Sequence, residues 1–179
     1  MGANALRLEE NLEKSPAFHK SFMSPDSKKP LHFVDFIRNL HQAGVKFHGV
    51  EFHKNGSRKN LFDIQFKKNT LEIPKIEIHD YTELTLRNLI AFEQCHCVDN
   101  KYITDYVFIL DKFVNTPKDV ELLVENRIVV NTLGDNNKVS IMINKLCSKV
   151  ALNHGNYYFG DLAGKLNDYF GKVALNHGN

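Results

Sequence analysis

Tryptophan is absent from the 179-residue chain, and cysteine is confined to Cys95, Cys97 and Cys147. An odd number of thiols, two of them one residue apart, does not make the disulfide framework of a small secreted domain. A reducing compartment is the expectation. An excess of one charge is also lacking, because 23 Lys and Arg against 21 Asp and Glu leave a formal +2. That is too little for nucleic-acid binding driven by counterion release, which needs a concentrated set of cations. Long apolar runs are missing as well. Stretches such as Tyr106 to Leu110 fall far short of the roughly 20 residues that cross a bilayer. Met1 to Lys14 mixes Arg7, Glu9, Glu10 and Glu13 into its apolar residues, unlike a secretory leader. Leu6 stands where a myristoylation pattern wants Ser or Thr. The chain as written is expected to be soluble and cytoplasmic, without a transmembrane span.

What is present reads as an ordinary globular domain, with 42% hydrophobic and 25% charged residues. A chain of this size buries about two thirds of its unfolded surface, enough for a core of its own. Pro16, Pro25 and Pro30 interrupt the start, so residues 1–30 read as a helix-like arm and linker, ahead of a single domain over 31–171. Lys149 to Asn156 and Lys172 to Asn179 both read KVALNHGN. Two short copies make no solenoid, and 172–179 is treated as a duplicated tail.

Within the domain, Phe33, Val34, Ile37 and Leu40 recur at three and four before Gly44, which predicts an amphipathic helix over Leu31 to Ala43. Alternation over Val45 to Phe52 and Leu61 to Phe66 predicts two strands, joined as a hairpin through Asn55-Gly56. Leu71 to Ile73 and Ile76 to Ile78 add short strands, with Pro74 implying an edge or a connector. Asp80 with Glu83 predicts a capping box opening a helix whose face holds Leu86, Leu89, Ile90 and Phe92, buried on more than one side. A second helix carries Ile103 to Val114. Thr116-Pro117 with Asp119 starts a third. Val139 to Val150 and Phe159 to Phe170 supply the fourth and fifth. The fold class is therefore helix-dominated α+β, an antiparallel helical bundle with a small β-hairpin near residues 45–67.

Chemistry is harder to find. Cys95-His96-Cys97 is the sharpest metal candidate, but zinc wants four N or S ligands, usually as spaced pairs. Residues 95 and 97 diverge by about 200° on a helix, and His79 and Cys147 are only distant partners. Glu93, embedded in IAFEQC, and Glu83 and Asp105 are carboxylates of the kind used in acid and base work, although on helices they more often cap and pair. Lys46, Lys54, Arg58, Lys59, Lys67 and Lys68, with His48 and His53 and interleaved Phe residues, suit an anionic surface, yet alternation alone puts the Phe inward and the Lys in water. Asn55-Gly56-Ser57 is a sequon with no secretory context, and Gly160 and Gly164 form no phosphate loop. Glu93, Cys95 and Cys97 remain weak candidates. No catalytic, metal or cofactor site is expected.

LRNLIAFEQC at Leu86 to Cys95, YITDYVFILDKFVNTPKDVELL at Tyr102 to Leu123, LGD at Leu133 to Asp135 and INKLC at Ile143 to Cys147 closely resemble the plant family called Domain of Unknown Function 247. HQAGVKF, Leu61 to Ile64 and LEIPKIEI are similar to it too, over roughly Leu31 to Phe170. The resemblance implies a plant protein, usually longer, with a preceding N-terminal region and a membrane-spanning helix near the C-terminus. It implies kinship with the male and female self-incompatibility determinants of grasses, and no established catalytic residues. The expected function is a noncatalytic interaction or signalling module with an unknown protein partner. The alternatives are an enzyme with a nonsequential site, or a basic hairpin binding nucleic acid or anionic lipid.

Overall fold

The computed structural model describes residues 36–51, 60–97, 100–148, 150 and 157–176. Helix α1, Phe36–Gln42, ends where Gly44 takes φ +86° and the Val45 amide donates to the Leu40 carbonyl, a left-handed stop that glycine adopts without a Cβ penalty. It is shorter than the predicted helix, whose first residues lie outside the described ones. Strand β1, Lys46–Val50, follows, then β2, Gln65–Lys67, β3, Thr70–Pro74, and β4, Ile76–Ile78.

The helix-dominated α+β class holds, but the strand pairing differs from the predicted hairpin over 45–67. β1 and β2 do not pair with each other, because β3 lies between them, parallel to β1 and antiparallel to β2. The tight turn is Lys68-Asn69, both at positive φ, as a two-residue type I′ hairpin requires. Asn55-Gly56 lies outside the described residues. Pro74, expected at an edge or in a connector, closes the central strand instead. There its missing donor does no harm, since β2 pairs no farther along β3 than Glu72; the Lys75 amide still donates to Val50 of β1, and the Ile76 amide turns to Ile128. β4 then pairs in parallel with β5, Val129–Asn131, a strand the pattern analysis missed.

The remaining helices are α2, Thr82–His96, α3, Tyr102–Phe113, α4, Pro117–Glu125, α5, Asn136–Cys147, and α6, Gly160–Asn176. The last continues into the duplicated octapeptide. α3 is the hub, burying Tyr106, Val107, Ile109, Leu110 and Phe113, each apolar side chain worth roughly 1.5–3 kcal/mol against exposure. Its main cluster takes in Leu71 and Ile73 of β3, Leu123 of α4, Ile143 of α5 and Leu166 of α6. A smaller cluster of Leu86, Ile90, Val107, Leu146 and Val150 attaches α2 to α3 and α5. α2 is thus an outer helix.

Candidate functional site

α2 begins without the predicted Asp80 capping box. No side chain caps Tyr81, the N-cap, and the Thr82 hydroxyl instead accepts from the His79 amide at 2.8 Å. Glu83 and Arg87, one turn apart, pair at 2.9 Å. The inward stripe is Thr82, Leu86, Ile90 and Glu93, about one residue per turn, which is too narrow to use the other apolar positions.

Glu93 sits at the base of that stripe, and its carboxylate accepts from the Ile103 and Thr104 amides, each at 2.8 Å. These are orphan donors of the first turn of α3, whose own N-cap Lys101 offers no side-chain bond. Glu93 is thus the cap of a neighbouring helix. Beside it, buried Asp105 accepts from the Tyr158 amide at 2.9 Å and so fastens the entry to α6. Replacing Glu93 by Ala is expected to cost about 2–3 kcal/mol, by stranding two donors, and Glu93→Gln about 1 kcal/mol. Urea denaturation checks this; unchanged stability in both variants would deny the capping role.

Burial raises the Asp105 carboxyl above its ordinary value of 3.8; the Tyr158 amide lowers it, the Glu93 charge adds to the rise and Lys101 opposes it. Because the folded state holds this proton more tightly, stability from the protonated form is present below pH 3.8. It is lost as pH rises through the raised folded value. Asp105→Asn keeps an acceptor for Tyr158 and removes the buried charge. Its stability relative to the wild type is therefore expected to increase as pH rises from about 3.5 to about 7, read by denaturation at each pH. A difference that shrinks with pH would reverse the sign.

The cysteines separate. Cys95 is exposed and Cys97 half-buried just past the helix end. Cys147 lies against Asp111, with burial and then the Asp111 charge pushing its thiol up to about 12, the reverse of an activated nucleophile. His79 stacks on Tyr81 and contacts Glu77 and Thr132, while His96 stacks on Phe92. Among the described residues no three His, Cys, Asp or Glu side chains converge. An open cleft between α1 and α4, lined by Arg38, His41, Gln42, Lys118, Glu121 and Glu125, includes neither Glu93 nor a cysteine. Of the basic set, Lys46 and Lys67 flank Thr70 across the sheet; His53, Lys54, Arg58 and Lys59 lie outside the described residues.

The outward side of α2 is what pattern reading missed. Leu89 and Phe92, expected in the core, are 41% and 58% exposed, and Tyr81 and Leu84 are both 64% exposed. With Thr85, Asn88, Ala91, Cys95 and His96, also exposed, they cover roughly 160° of the helix at 3.6 residues per turn. No Asp, Glu, Lys or Arg falls on this arc, since Glu83, Arg87 and Glu93 all lie outside it. A helix facing only water ordinarily puts charge there, and here an uncharged face with four large, exposed hydrophobic side chains stands in its place. The signal was available in the helical positions of those three charges.

The match to known sequences covers nearly the whole chain: the family model described as DUF247, plant protein of unknown function, fits residues 6–177. The chain belongs to this family. Its match includes most of the N-terminal arm and the duplicated tail as well as the α+β domain. UPF0481 protein At3g47200 of Arabidopsis thaliana is 25% identical over 127 residues, 70% of this chain and 27% of that protein. Putative UPF0481 protein At3g02645 of Arabidopsis thaliana is 28% identical over 121 residues, 66% of this chain and 22% of that protein. The chain therefore spans about a quarter of the length of these relatives. No solved structure matches it significantly. No helix among the described residues is long and apolar enough to cross a membrane.

Proposed function

We propose that this family member is a noncatalytic protein-interaction module, in a recognition or signalling role of the kind the self-incompatibility resemblance implies, and that partners dock on the outward face of α2. The observation carrying this reading is the uncharged arc bearing Tyr81, Leu84, Leu89 and Phe92, all exposed. Aromatic and aliphatic side chains held on a rigid helix are the usual anchors of a protein interface. Glu93, the carboxylate nearest to an enzymatic reading, is committed to capping α3.

The test is affinity purification from plant tissue with the wild type and with a Leu84→Glu/Phe92→Glu variant whose circular dichroism matches it. A specific set of proteins recovered by the wild type and lost with the variant is expected. Recovery of the same set by both would remove α2 from the function.

A further inference from the structure

We infer that the outward face of α2 pairs with the same face of a second copy of this chain, an inference that rests on the docking role proposed above. Three observations lead there. The first is self-complementary spacing, because Leu84 and Phe92 lie four residues before and four after Asn88 at the middle of the arc. With two α2 helices antiparallel and Asn88 on the two-fold axis, each Leu84 meets the second copy's Phe92. Tyr81 meets the second copy's Cys95. Such an isologous contact closes on itself, as most homodimers do, and sets the two helix dipoles antiparallel.

The second observation is charge. Glu83 and Arg87 pair with each other beside the arc, so the two Arg87 side chains that the axis places on one flank each carry their own counterion. An amide on the axis can donate to and accept from its symmetry mate.

The third is area. Tyr81, Leu84, Leu89 and Phe92 at 64%, 64%, 41% and 58% exposure present on the order of 400 Å² per copy, taking roughly 150–250 Å² for a whole aromatic side chain. Two copies bury about 800 Å² through these four alone. Thr85, Asn88, Ala91, Cys95 and His96 bring the contact toward the roughly 1,200 Å² at the lower end of specific interfaces. A weak, reversible dimer is the consequence.

Sedimentation velocity of the whole chain from about 1 to about 200 µM, the range in which so small an interface assembles, tests it. A monomer–dimer equilibrium is expected, weakened roughly tenfold or more by Leu84→Glu/Phe92→Glu. Asn88→Cys, with Cys95 and Cys97 replaced by Ser, is expected to form a disulfide-linked dimer on mild oxidation, which reports the axis without disturbing the apolar contacts. A chain that stays monomeric throughout, or a dimer indifferent to both changes, overturns the inference. If a monomeric chain still loses its plant partners with Leu84→Glu/Phe92→Glu, the second copy is wrong and the docking role stands.

Discussion

Gly49→Ala is expected to destabilise the fold by about 3 kcal/mol or more, because the added carbon has nowhere to go. A Cβ at Gly49 would stand 2.2 Å from the Arg127 carbonyl oxygen and 2.5 Å from its carbon, and these are backbone atoms that cannot rotate aside. Neither partner can retreat cheaply. Gly49 lies opposite Ile73 in the parallel ladder and donates to the Asn126 carbonyl at 3.1 Å. Arg127 is held at φ +58° beside Ile128, which is wholly buried and accepts from Ile76. The turn between α4 and β5 is thus pressed against β1, joining the two small sheets. Gly164→Ala is the control: it sits in α6 with open space around it and is expected to gain a few tenths to about 1 kcal/mol from helix propensity. Chemical denaturation reads both. A loss at Gly49 below about 1 kcal/mol would mean that the approach is loose.

Asp119→Ala is expected to cost about 3 kcal/mol, mostly through stranded donors. This carboxylate is wholly buried and accepts from the Asn115 amide at 3.1 Å, the Thr116 amide at 2.7 Å and the Thr116 hydroxyl at 2.9 Å. It also takes Arg38 Nε at 2.8 Å, linking α1 to α4. The Arg38 side chain is about one third exposed, at 32%, so water screens much of the ion pair. Removing Arg38 is therefore expected to cost about 1 kcal/mol, well below the Asp119 loss. If Arg38→Met and Asp119→Ala lost equal amounts in denaturation, the ion pair rather than the cap would hold this corner.

Much of this corner was legible. Thr116, Pro117 and Asp119 announce a helix start because each acts on backbone donors within one turn, a relation that spacing alone encodes. Glu93 was legible only as an unusual carboxylate. Its partners, the Ile103 and Thr104 amides, belong to the next helix, and spacing along α2 carries no trace of them. The strand order failed for a similar reason: alternation locates β1 and β2 but does not say that β3 inserts between them. β5 was lost because Val129–Asn131 is too short to show a period. The error at Leu89 and Phe92 differs in kind, since apolar residues on a helix were assigned to a core without asking where the charges lay. Asking where Glu83, Arg87 and Glu93 fall divides α2 into a buried stripe, a charged flank and an uncharged outer face.

Whether that outer face is where partners dock comes down to Cys95, an exposed thiol within the arc. The direct measurement is the rate of maleimide alkylation at Cys95, read by mass spectrometry in the dilute free protein and in complexes purified from plant tissue. Rapid labelling of the free protein and marked protection in the complex is the predicted result. Equal rates in the two would contradict it.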